Sequence, residues 1–195
     1  MCAVAWKTKQ SMRNLVGKST LAHKNSNISP TIQCIGAELV CPSGEQITNG
    51  GFETGDFTGW THTGDANIIS ASPSPHSGSY CVAITAGSGA SGSISQTLTT
   101  LVPTACITAT STFKLWIRAD YSFSPPGGGL FTAIITYTDA TQTTVNRETT
   151  EEETGAWIEW DLKPYLEVGK TIQSIQITMT NNPTTCAVDD ISLIP

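Results

Sequence analysis

The sequence predicts an all-β protein preceded by an extended arm, and three observations carry that prediction. Thr accounts for 30 and Ser for 19 of the 195 residues, alongside many Ile and Val. Such β-branched side chains fit a pleated, half-buried surface better than a helix. Apolar and polar residues alternate over short runs, the period of a strand with one buried face. The runs are separated by clusters drawn from 17 Gly and 10 Pro, the strongest turn signals. Only 13% of residues are charged and 38% are hydrophobic, which argues against a disordered chain.

The first element is the arm. Residues 1–37 carry Lys7, Lys9, Arg13, Lys18 and Lys24 and no acid, a balance of +5; the net charge of −6 leaves −11 on residues 38–195. Lys7 to Leu21 fits a weakly amphipathic helix with Met12, Leu15 and Val16 on one face. Residues 1–45 are therefore read as a basic N-terminal arm and linker, and 46–195 as the folded module. Trp6, Lys7, Lys9, Arg13 and Lys18 are the candidate partner-binding residues of the arm, suited to an acidic surface on another protein subunit. A solvated tail and an organelle transit peptide are alternative readings of the same residues. The acidic body excludes nucleic acid as a ligand. No apolar run is long enough for a membrane span, and the N-terminus lacks the apolar core of a secretory signal.

The strands follow. Candidates are residues 67–70, 80–85, 93–98, 105–120, 130–137, 143–149, 157–162, 172–180 and 187–193. Turn signals separate them at 72–75 (Ser-Pro-Ser-Pro), 87–92, 125–129 and 181–183. Alternation assigns the faces. Phe113, Leu115 and Ile117 share one side, and Lys114, Trp116 and Arg118 the other. Ile175, Ile177 and Met179 oppose Ser174, Gln176 and Thr178; Phe131, Ala133, Ile135 and Tyr137 oppose Thr132, Ile134 and Thr136. Short strands with no helices between them indicate a β-sandwich or barrel.

Six cysteines leave many pairings open. Cys34 and Cys41 could staple the linker, and Cys106 and Cys186 could lie close in the sandwich; buried thiols are the other reading. No Cys-x-x-Cys pair, nucleophile elbow or phosphate loop is present. Glu151-Glu152-Glu153 reads as a solvated charge run. Glu159 and Asp161 share one face of a single strand, roughly 7 Å apart, which does not make a glycosidase cleft. The module is read as non-catalytic.

The segment Asn49-Gly-Gly-Phe-Glu-Thr-Gly-Asp-Phe-Thr-Gly-Trp60 resembles the opening of carbohydrate-binding modules of the galactose-binding-like jelly-roll type. Ser77-Gly-Ser-Tyr80, Ile94-Ser-Gln-Thr-Leu98, Phe113-Lys-Leu-Trp-Ile-Arg118 and Val188-Asp-Asp-Ile-Ser-Leu193 fit in the expected order. The resemblance covers residues 46–195. It implies a two-sheet antiparallel jelly-roll β-sandwich with adjacent chain ends and with Phe52 and Trp60 buried. It also implies a structural calcium where first and last strands meet. Glu53 and Asp189 would be its carboxylate ligands, with backbone oxygens near Gly51 and Ser77. Asp189 shares its alternation with Ile191 and Leu193, so it is expected to point inward, where a carboxylate needs a cation or several donors.

A glycan-binding face would then combine Trp116 as a stacking platform with Arg118, Thr132, Thr136, Gln176 and Thr178, flanked by Trp157 and Glu159. Tyr121 and Phe123 are candidates for an edge site. Three functions follow. The first is a surface structural or adhesion protein anchored by its arm on a larger assembly, such as a phage-like virion decoration protein. The second is a free or enzyme-derived module recognising a polysaccharide. The third is a self-assembling fibre or matrix subunit. All place the protein outside the cell or on a virion surface, and the first and third make it an oligomer or part of a larger assembly.

Overall fold

The computed structural model describes residues 38–85, 89–120, 130–180 and 185–195. The arm residues Trp6, Lys7, Lys9, Arg13 and Lys18, together with Cys34, Tyr121 and Phe123, lie outside these residues. The chain divides at Val40/Cys41, and the unit from Cys41 to Pro195 carries the strands. In chain order these are β1 (Thr61–Gly64), β2 (Ala66–Ile69), β3 (Cys81–Ile84), β4 (Ser91–Pro103) and β5 (Thr112–Asp120). They continue with β6 (Leu130–Tyr137), β7 (Gln142–Glu148), β8 (Ile158–Asp161), β9 (Thr171–Thr180) and β10 (Thr185–Ile194).

They form two five-stranded sheets, ordered β1-β4-β9-β6-β7 and β2-β3-β10-β5-β8, with antiparallel pairing throughout. This is the jelly-roll β-sandwich. The alternation read from the sequence sets its core: Phe113, Leu115 and Ile117 of the second sheet meet Phe131, Ile135, Ile175 and Ile177 of the first, all buried. The start and the end of the folded module are adjacent. Gln46 N–H donates to the Leu193 carbonyl at 2.9 Å, and the Glu45 carboxylate accepts from Leu193 N–H at 2.8 Å.

Two elements depart from the sequence reading. Thr61–Gly64 carries no apolar pattern and is exposed throughout, yet it forms β1 by pairing with β4. Gly64 then lets the chain cross to the second sheet: its φ is +66°, and a Cβ there would lie 2.3 Å from the Ser91 carbonyl oxygen. The run predicted at 105–120 breaks. Thr104–Cys106 is a 3-10 turn, and Ser111 Oγ accepts from Thr108 N–H at 2.8 Å, so the strand starts only at Thr112.

The opening motif is held by side-chain bonds from the sandwich. Phe52 and Trp60 are buried with ring centroids 5.7 Å apart, and Trp60 Nε1 donates to the Asn49 carbonyl at 3.1 Å. Gln96, buried on β4, accepts from Thr48 N–H and donates to the Thr48 carbonyl, both at 2.8 Å. It acts as a short surrogate strand. Gln96→Ala strips both partners from a part-buried peptide, so it is expected to destabilise the protein by about 1–3 kcal/mol. Urea denaturation checks this; a midpoint unchanged from wild type would refute the surrogate role.

Cys41 is disulfide-bonded to Cys106, 65 residues away. The expected Cys34–Cys41 staple is therefore excluded, as is a Cys106–Cys186 bond. The pairing follows from tertiary placement, because the 3-10 turn carrying Cys106 and the start of the compact unit meet only in the fold. Closing a loop of that length stabilises the native state by about 4 kcal/mol in the chain-entropy model. Cys186 is buried in β10, its thiol 3.7 Å from the Thr180 carbonyl. Cys81 remains a buried thiol, pushed up to about 12 by burial and secondarily by the Asp189 charge, which leaves it unreactive.

Candidate functional site

The residues expected to converge on one glycan-binding face fall on two. Trp116 and Arg118 belong to β5 in the second sheet; Thr132 and Thr136 belong to β6, and Gln176 and Thr178 to β9, in the first. Each set points away from the shared core, so the whole sandwich lies between them. Alternation identifies an outward residue but does not say which sheet it leaves.

The structure does bring the first-sheet set together. Thr132 stands opposite Thr178 in the ladder, and Thr136 opposite Ser174. Neighbouring side chains bond laterally: Thr132 Oγ1 to Asn146 Oδ1 at 2.8 Å, Gln142 Nε2 to Thr136 Oγ1 at 3.1 Å, and Thr63 with Ser93 at 2.8 Å. This face is largely hydroxyls and amides, with Leu130 and Ile134 of β6 among them. Its described side chains include no aromatic ring.

The second sheet's outer face holds the aromatics. Cys81, Ala83 and Ala187 at its centre are small and wholly buried, packed with Ile69 and Trp157. The segment before β3 passes close by: the Cys81 thiol faces the Pro73 carbonyl, and Trp157 Nε1 donates to the Ser74 carbonyl at 3.1 Å. The His76 ring stacks on Trp116 at 3.9 Å and 16°, and Trp157 meets His76 edge-on at 5.8 Å. His76 Nδ1 lies 2.6 Å from Asp190 Oδ2. Lys114 pairs with Glu159, and Arg118 Nε with Asp120 at 2.8 Å. Trp116 is thus part of an aromatic group rather than a lone platform. Sequence reasoning missed His76 and Ser74, because Ser-Pro-Ser-Pro reads only as a turn. Nothing local tells that it folds over a tryptophan 40 residues on.

At one corner the opening motif, the segment before β3 and β10 meet. Asp189 does not point into the core as its alternation suggested. A bulge between Asp189 and Ser192, with Asp190 at φ +46°, shifts the register. Asp189 then stands opposite Trp116 on the outer side, while Val188, Ile191 and Leu193 keep the core. It is nonetheless wholly buried. Its carboxylate accepts N–H bonds from His76 at 2.9 Å, Ser77 at 3.3 Å and Asp190 at 2.8 Å. Burial first, and the Asp190 charge second, push its pKa up to about 7. Glu53 accepts from the N–H groups of Ser79 and Tyr80 at 2.9 and 3.0 Å. It sits over Gly78, where a Cβ would lie 2.3 Å from the carboxyl carbon. Gly51 lies against Asp190, and Ser77 Oγ donates to Asp190 Oδ1 at 2.9 Å. Among the described residues no three His, Cys, Asp or Glu side chains are grouped to hold a metal.

No protein-family model matches this chain, and no curated protein matches it in sequence. Solved structures match its fold. The chain is similar to TmCBM61, a carbohydrate-binding module in complex with β-1,4-galactotriose. That match has a TM-score of 0.55 and 22% identity over 78% of this chain and 99% of that one. It is similar to the enzymatically active domain of tailspike protein 4 of bacteriophage CBA120, with a TM-score of 0.53 and 13% identity. There it covers 77% of this chain but only 21% of the tailspike chain. A family 16 carbohydrate-binding module gives a TM-score of 0.49 and 15% identity over 77% of this chain and 99% of the module. The fold these matches share with the chain is the two-sheet jelly-roll β-sandwich. Among the described residues no helix is long and apolar enough to cross a membrane.

Proposed function

We propose that the chain is a non-catalytic carbohydrate-binding module that recognises a polysaccharide through the outer face of its second sheet. The observation that carries this reading is the half-buried aromatic group of Trp116, Trp157 and His76 with Arg118 beside it. Flat apolar area edged by a few polar groups is the chemistry a sugar ring selects. The match to a module complexed with β-1,4-galactotriose, over 99% of that module and 78% of this chain, supports it and suggests β-1,4-galactan as the first probe. The test is affinity electrophoresis against soluble galactan, xylan and β-glucan. Trp116→Ala is expected to weaken retention by tenfold or more, about 1.4 kcal/mol, while circular dichroism stays native. A folded variant retained like wild type would remove Trp116 from the site.

The corner of Glu53 and Asp189 is proposed to hold a structural calcium. Its donors are hard oxygens, and its buried Asp189 carries a carboxylate that only backbone N–H groups now compensate. Glu53 and Asp189 would supply the charge, with backbone oxygens near Gly51 and Ser77. The cation would tie the opening motif to the last strand and take no part in sugar chemistry.

A second reading places the same module on the surface of a larger assembly, such as a virion. Two observations favour it: the fold match within a phage tailspike, and a basic arm joined to an acidic body. Trp6, Lys7, Lys9, Arg13 and Lys18 would be the anchoring residues. Sedimentation of the full chain separates the remaining possibilities, since a fibre subunit polymerises alone and a free module runs as a monomer.

A further inference from the structure

The ladder fixes what surrounds the indole. Across β10, β5 and β8 one row reads Asp189, Trp116, Glu159, and the next reads Ser192, Lys114, Asp161. Two residues further along β5 stands Arg118. Every cation of this patch already has an acid: Lys114 is paired with Glu159, Arg118 with Asp120, and Lys163 lies 4.0 Å from Asp161. A carboxylate or sulfate arriving beside Trp116 would meet no unpaired cation among the described residues. It would have to displace Glu159 or Asp120, and it would approach a body whose residues 38–195 carry −11. A hydroxyl meets no such barrier. The paired carboxylates keep lone pairs, and the guanidinium keeps further N–H groups to offer it.

We propose that this face selects its ligand by charge: it takes an uncharged polysaccharide and rejects chains bearing uronate or sulfate groups. The Lys114–Glu159 and Arg118–Asp120 pairs are the discriminating elements. This rests on the glycan-binding reading above and adds the ligand class to it.

The experiment compares the full-length chain with the double variant Glu159→Gln/Asp120→Asn, which leaves both cations without their acids. Retention is measured on the neutral polymers named above and on polygalacturonate, at low and high salt. The wild type is expected to bind a neutral polymer with little salt dependence and to ignore polygalacturonate. The variant is expected to gain polygalacturonate binding by roughly tenfold or more at low salt and lose it at high salt. Wild-type binding to polygalacturonate as tight as to any neutral polymer overturns the inference and leaves the glycan-binding reading standing. A folded variant that gains nothing overturns the assignment to these two pairs. Retention of neither polymer class by either protein overturns the glycan-binding reading and the inference with it.

Discussion

Trp60→Ala is expected to remove a large part of the stability of the sandwich. Trp60 is 7% exposed, packs on the fully buried Phe52, and donates its indole N–H to the Asn49 carbonyl. Truncating a buried aromatic costs about 3–5 kcal/mol, against a total of about 5–15 kcal/mol for an ordinary domain. The loss spreads beyond the cavity. Asn49 sits at φ +51° and Phe52 at +57°, conformations that non-glycine residues hold only when packing over-determines them. The Asn49 side chain also organises the following turn, donating to Thr54 Oγ1 at 2.7 Å and to the carbonyls of Asp56 and Thr58 at 3.2 Å. Without the indole, that whole segment loses its anchor. Equilibrium urea unfolding followed by far-UV circular dichroism checks the prediction. A loss below about 1 kcal/mol would mean that Trp60 caps the surface and does not pin the motif.

Removing divalent cations is expected to make stability fall as pH rises from about 4 to about 7. The cause is Asp189. Its carboxyl, ordinarily at 3.8, stands at about 7 in the fold because burial disfavours the charge and Asp190 adds repulsion. The folded state therefore binds a proton more tightly than the unfolded chain does. That contribution is complete below the unfolded value and is lost as pH climbs through the folded one. About three pH units correspond to about 4 kcal/mol between the two limits. Below pH 4 an opposing trend enters. Asp139, lowered to about 2 chiefly by its bond to Lys170, and Asp56, lowered by Thr58 and Thr54, both give up their partners on protonation.

Melting temperature in chelator is thus expected to peak near pH 4 to 5 and to decline toward neutrality. Asp189→Asn, which cannot ionise, is expected to flatten that decline. Saturating calcium is expected to flatten it as well, since a cation on Glu53 and Asp189 favours the charged form. If calcium leaves the pH profile and the melting temperature unmoved, the proposed metal corner is wrong. If the chelated wild type shows no decline, Asp189 is more solvated than its burial implies.

Much of the fold was legible in the chain. The alternation in residues 113–118, 131–137 and 175–179 names core side chains that are all buried in the sandwich. The motif at 49–60 was legible through its resemblance to the opening of carbohydrate-binding modules, which implied that Phe52 and Trp60 are buried, as they are. The candidate site was legible only in fragments. Trp116, Arg118 and Trp157 were found because outward aromatics and cations stand out on a strand. His76, the residue stacked on Trp116, was not, since a histidine in a Ser-Pro turn carries no signal of what it touches.

By itself, then, the sequence determined the class, the strand-forming runs and the inward or outward sense of most side chains. These depend on backbone sterics and a period of two, both readable within a few residues. Tertiary structure alone decided which sheet each strand joined. That choice put Trp116 on one outer face and Thr132, Thr136, Gln176 and Thr178 on the other. It also decided the bulge that turned Asp189 outward under a covering segment, and the Cys41–Cys106 bond. The first two are set by backbone pairing between segments far apart in the chain, and the third by the fold that brings Cys41 to the turn carrying Cys106. An outward-facing residue has the same local pattern whichever sheet it leaves, so only the ladder of hydrogen bonds distinguishes them.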